Sequence, residues 1–172
     1  MIARVIAICL GLLDWAVIAL MLAIVAQVTL SALDMNPVIT FDHARTFFGP
    51  AITLNSLLDL QWHLLVIIGL LPAGLVWLGA GHVRVDFLYQ SRSPRWRARV
   101  DLLGHLLFAL PFFALMLPAA SGFMLRAWSS DEGSRNGGLI DLWLVKALLP
   151  LGLALLALAV VIDTLRLLRD AR

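Results

Sequence analysis

Residues Leu142–Leu168 read LWLVKALLPLGLALLALAVVIDTLRLL, and from Ala147 to Ile162 no side chain is charged. A helix needs about 20 mostly apolar residues to cross roughly 30 Å of hydrocarbon, and this run is long enough. It shows no period-two alternation, so it reads as helix rather than strand. Lipid in any case admits only helices or closed barrels, because every backbone amide must be satisfied internally. Three further runs carry the same signature: Val5–Leu33, broken by Asp14, Gln27 and a few small polar residues, then Leu57–Gly81, then Leu102–Leu125. The sequence therefore predicts an all-α membrane protein of four transmembrane helices. Its spans lie at about 5–33, 57–81, 102–125 and 142–168, in one domain covering 1–172.

Composition agrees. Of 172 residues, 62% are hydrophobic and 14% charged, with mean hydropathy +0.95. A soluble domain is nearer half apolar and a quarter charged, so this excess does not fit inside one core. Disorder is excluded by the same figures. Cys9 is the single cysteine, which rules out a disulfide framework or a zinc-finger spacing. Phosphate-binding glycine loops, dinucleotide fingerprints and nucleophile elbows are missing, so the chain is read as no enzyme, with no cofactor and no use of ATP by itself. The pI of about 9.3 comes from arginines beside apolar runs, which marks membrane topology rather than nucleic-acid binding.

The first run is longer than the roughly 7–15-residue core of a signal peptide and lacks a convincing cleavage site, so it is expected to be retained. Being longer than the bilayer is thick, it should tilt or protrude. Arg84, Arg92, Arg95, Arg97 and Arg99 crowd the hairpin at about 82–100, and Arg166, Arg169 and Arg172 the C-terminal tail. The positive-inside rule then puts both termini and that hairpin in the cytoplasm. Trp62, Trp77, Trp96, Trp128 and Trp143 fall near span ends, where indoles favour the headgroup zone. The connection Asp34–Ser56, with Pro37, Gly49 and Pro50, is read as a long loop, and Trp128–Asp141 as a turn-rich one. No internal repeat is visible, which argues against an inverted-repeat transporter made of this chain alone.

Few residues offer chemistry. Asp14 is the one acid well inside a span, and an ionised carboxylate there faces protein, water or a partner. Ion coupling, a proton relay or a subunit contact are its functional readings; pairing with a neighbouring helix near the cytoplasmic third, or staying protonated, is the plainer one. Asp59 with His63, His82 with Asp86, and Asp101 with His105 stand four apart, on one helix face where each pair can meet. The last two pairs would bring four ligands near one another, fit for a metal; ordinary helix-end pairing is the plainer account. His82 and His105 could also hold a haem between them. The arginine cluster around Trp96 suits anionic lipid headgroups as well as topology. Pro72, Pro111, Pro118 and Pro150 are expected to bend helices, and Gly69 with Ala73 to allow close helix approach.

Three stretches go further. Gly81-His82-Val83-Arg84-Val85-Asp86-Phe87-Leu88 closes the second span; Asp59-Leu60-Gln61-Trp62-His63-Leu64 opens it; Gly138-Leu139-Ile140-Asp141-Leu142-Trp143, followed by Lys146, Pro150 and Gly152, leads into the last. In this order they resemble the small membrane subunit, DctQ type, of tripartite ATP-independent periplasmic (TRAP) transporters, over essentially the whole chain. The resemblance implies a bacterial inner-membrane subunit packed against a large elevator-type permease. Sodium-coupled uptake of a small organic solute follows, a carboxylate by preference, delivered by a periplasmic binding protein. It also implies that substrate and sodium sites lie on the large subunit. This sequence lacks the broken-helix pairs and oxygen-rich segments of such a site. On this reading Arg84, Asp86 and His82 are anchors at the cytoplasmic end, Asp59, Gln61 and Trp62 at the periplasmic end, and Asp14 within the membrane. A haem- or quinone-binding anchor of a redox complex is the competing reading.

Overall fold

The computed structural model describes the backbone of residues 2–79, 81, 87, 89 and 91–170. Helix α1 (Ile2–Ala32) leads into a small β-hairpin of β1 (Ile39–Arg45) and β2 (Gly49–Ile52). Helices α2 (Leu54–Leu70) and α3 (Ala73–Leu78) form the second span. Helix α4 (Pro94–Gly104), a π-helical turn (His105–Ala109) and α5 (Leu110–Ser129) run on as the third. A short α6 (Trp143–Lys146) and α7 (Leu148–Asp170) make the fourth. Four segments are long and apolar enough to cross a membrane: Gly11–Ala32, Leu54–Leu78, Pro94–Ser129 and Trp143–Arg169.

The expected spans are all present, with corrected edges. The third starts eight residues before its expected edge, because Ser93 caps it through Trp96 N–H at 3.4 Å and Pro94 suits the first helical turn. The arginines at 95, 97 and 99 therefore lie on a helix and not in a loop. The second starts at Leu54, where Thr53 and Ser56 cap each other's backbone N–H groups.

Three of the four prolines sit at irregularities. Pro72 separates α2 from α3, and Pro150 withdraws the N–H that the Lys146 carbonyl would accept, at the junction of α6 and α7. Pro111 does the same to Leu107, inside the π turn. Pro118 lies within a continuous α5. The prolines expected to bend helices therefore coincide with irregular points at three positions and not at Pro118. The interruption near Pro72 opens onto an apolar cleft of about 540 Å³, lined by Leu12, Ile67, Leu71, Leu75, Leu155 and Ile162 among others, with no oxygen-bearing side chain.

The spans form an open layer in the order first, second, fourth, third. Helix α1 packs chiefly on α2, α2 and α3 on α7, and α4 and α5 on the other side of α7. The buried core lies between α5 and α7, where Phe113, Ala120, Leu153 and Val160 pack together. Close approach between the second and fourth spans falls at Gly74 and Gly152. A Cβ at Gly74 would stand 2.8 Å from the Leu155 carbonyl oxygen, and one at Gly152 3.0 Å from Leu70 Cβ. Gly69, expected to serve this purpose, faces open space. The broad outer surfaces are leucine, valine and phenylalanine, as lipid or a partner requires.

Candidate functional site

At the end where α1 stops and α2 starts, the stretch read as a long loop is an ordered cap built on a β-hairpin. Its β-hairpin pairs Ile39 with Ile52 and Thr40 with Ala51, and is bulged before Arg45 and Gly49. The signal was present in the β-branched and aromatic run Val38-Ile39-Thr40-Phe41, which favours a pleated strand. The hairpin turn is held by the other long connection. Phe47, at φ 74°, donates its N–H to Asp141 Oδ2 at 3.2 Å, and its carbonyl accepts from Ile140 N–H at 2.9 Å. The same connection clasps the start of α2. Thr53 Oγ1 donates to the Gly137 carbonyl at 3.1 Å, Asn55 Nδ2 to that of Asn136 at 2.5 Å, and Leu139 N–H to Asp59 Oδ2 at 3.0 Å. Lys146 pairs with Glu132 at 2.5 Å and lies 4.2 Å from the Phe123 ring centre, and Trp128 meets Trp143 edge to face.

The expected Asp59–His63 pairing takes another form. His63 meets the backbone carbonyl of Asp59 through Nδ1, while the carboxylate reaches Leu139. His63 is buried edge-on to the Phe47 ring, and its Nε2 has no partner among the described residues. Gln61 donates to the Ala23 carbonyl at 3.4 Å, tying α2 to α1. Trp62, 67% exposed, points away from the chain.

A second polar cluster lies inside the membrane-spanning region. His105, buried at the start of the π turn, meets Thr164 Oγ1 through Nδ1 at 2.8 Å. The Thr164 hydroxyl donates to the Val160 carbonyl at 2.7 Å, so its oxygen accepts from the imidazole. His105 Nε2 lies 3.9 Å from Asp163 Oδ2, which also accepts from Trp77 Nε1 at 3.3 Å. Three spans are thus joined through one histidine. Asp163 and Thr164 escaped the sequence reading because their partners come from other helices, at no fixed spacing. Asp101 accepts from the Tyr89 hydroxyl. His82, Arg84 and Asp86 lie outside the described residues. Among the described ones, no three His, Cys, Asp or Glu side chains gather as metal ligands.

Near the opposite end from the cap, Arg92 stacks on Trp96 and Arg97 on Tyr89, with Arg92, Arg95 and Arg99 exposed. Asp14 is exposed on α1 and has no hydrogen-bond or ion-pair partner among the described residues.

These features define a small multi-pass helical membrane protein whose polar side chains chiefly hold its own helices and cap together. A search among curated proteins finds no match. Residues 43–170 match the family model of the DctQ component of tripartite ATP-independent periplasmic transporters, and the chain belongs to that family. It is a family of transporter components, and its members are small membrane subunits of three-part systems.

Proposed function

We propose that this chain braces the large, elevator-type permease of its transporter during sodium-coupled uptake of a small organic solute, a carboxylate by preference, handed over by a periplasmic binding protein. A carrier that moves needs a neighbour that does not, and extra helices fixed in the bilayer enlarge the stationary part. The observation that carries this reading is the open layer of spans. Its polar contacts lock helices to one another, while wide apolar faces stay uncovered. Asp59, Asn55 and Thr53 fasten the cap, a rigid platform on the side where the binding protein would arrive. In this assignment both termini and the arginine-rich hairpin face the cytoplasm and the cap faces the periplasm. Arg84, Asp86 and His82 are then assigned as anchors of the cytoplasmic end.

The redox alternative gains no support from His105, whose two ring nitrogens turn toward Thr164 and Asp163. The deciding experiment is sodium-driven solute uptake into liposomes holding the large subunit and binding protein, with and without this chain. Uptake should require it while the large subunit still inserts. Undiminished uptake without it would remove the bracing role.

A further inference from the structure

Helix α1 presents Asp14, Ile18, Met21, Val25 and Val28 at alternating steps of four and three, which set side chains in one line along a helix. That line is uncovered: Met21 is 62% exposed and Val25 63%. The opposite face, around buried Ala23, is the one that meets α2. Asp14 therefore lies on the outward line and not on the packed one.

Asp14 sits toward the end of the span away from the cap, in the first turn of Gly11–Ala32, and its exposure there still carries a cost. At about 1.5 Å per residue, Asp14 stands roughly 15 Å along the axis from Arg4 and roughly 27 Å from Ala32. Apolar residues follow it on both sides, from Val5 to Leu13 and from Trp15 to Ala26. An aspartate side chain is too short to reach water as lysine or arginine does by snorkelling. A carboxylate facing hydrocarbon is costly, though less so toward the end of a span than at its centre. A cation brought to the same face removes that cost and leaves the apolar line to pack by shape.

We infer that the Asp14–Val28 line of α1 seats one transmembrane helix of the large permease subunit, which carries a lysine or arginine at the level of Asp14. This rests on the bracing role proposed above and names the face that performs it. The charge selects the occupant: a second copy of this chain laid on the same line by two-fold symmetry would set aspartate against apolar residues or aspartate, and lipid tails offer no cation.

The test uses the full chain, affinity-tagged and co-produced with its large subunit, purified in mild detergent. Asp14→Asn, which keeps the shape, and Val25→Trp, which blocks the line, should each lower the retained large subunit by about tenfold. Leu115→Trp, on the exposed face of α5, should leave it unchanged. A photo-crosslinking residue at Met21 should capture the large subunit. If the unaltered chain retains the large subunit and only Leu115→Trp releases it, the seat is elsewhere and this inference falls alone. Capture of only lipid or a second copy from Met21 has the same consequence. If the unaltered chain retains no large subunit, the bracing role falls with it.

Discussion

The Asp59 carboxylate accepts the backbone N–H of Leu139 at 3.0 Å, across 80 residues of sequence, and Gly138 is the residue that lets it. A Cβ on Gly138 would run into Asp59 Oδ2 and lie 2.9 Å from the Asn55 carbonyl oxygen. No adjustment of a flexible tip relieves the second contact, because it is backbone. Leu139, next in line, is almost fully buried. The start of the second span and the run into the fourth are thus one unit.

Gly138→Ala should break that unit. A hydrogen bond to a charged group contributes about 1.5–3 kcal/mol, and both the clash and the lost bond act against the fold. The purified variant should show a lower thermal midpoint, followed by tryptophan fluorescence. Asp59→Ala should cost a similar amount, and the double variant less than the sum, because both single changes disrupt one contact. Full additivity would mean that the two residues act separately.

Gly74→Ala should destabilise the chain while Gly69→Ala leaves it unchanged or slightly firmer. The first puts a methyl against the Leu155 backbone at 2.8 Å, and forcing extra atoms into packed space costs about 1–3 kcal/mol. The second adds one where nothing lies within 4 Å, and alanine is the better helix former. Thermal midpoints of the two variants in the same detergent decide it, and equal midpoints would dissolve the distinction.

What could be read from the sequence follows from which interactions are local. Each span is announced by its own composition, so Leu142–Leu168 alone fixed the fold class and the prolines marked most of the irregular points. Asp59 and Gln61 stood out as anchors only as part of the Asp59–Leu64 stretch that carries the family resemblance. The partners were not legible. Leu139, Ala23, Thr164 and Trp77 are chosen by how helices meet, and a small-xxx-small pattern at Gly69 and Ala73 does not reveal that the contact falls at Gly74. The hairpin was missed because β2 has only four residues and Pro37, Gly49 and Pro50 beside the strands read as loop.

Orientation is open to direct measurement. A cysteine at Asn136, exposed in the cap, should react in intact cells with a membrane-impermeant maleimide. One at Arg95, exposed on α4, should react only after the inner membrane is opened. Cys9 is replaced by serine beforehand so that each signal has one source. The reverse pattern would invert the topology and move the cap to the cytoplasm.

The His105 cluster ties the third span to the second and fourth, and its contribution should be modest but measurable. Hydrogen bonds between membrane helices average about 0.6 kcal/mol and reach about 1.7. Thr164→Val keeps the side-chain shape and removes the oxygen facing His105 Nδ1, so it should fall in that range. Asp163→Asn keeps an acceptor for Trp77 Nε1 and should cost less than Asp163→Leu, which leaves the indole N–H without its partner. The order expected in detergent melts is therefore Asp163→Asn, then Thr164→Val, then Asp163→Leu as the least stable. The same preparations should show no Soret band, because His105 is buried with Nδ1 bonded to Thr164 and Nε2 turned toward Asp163. A Soret band that disappears in His105→Ala would overturn the structural role assigned to this cluster and revive the redox reading.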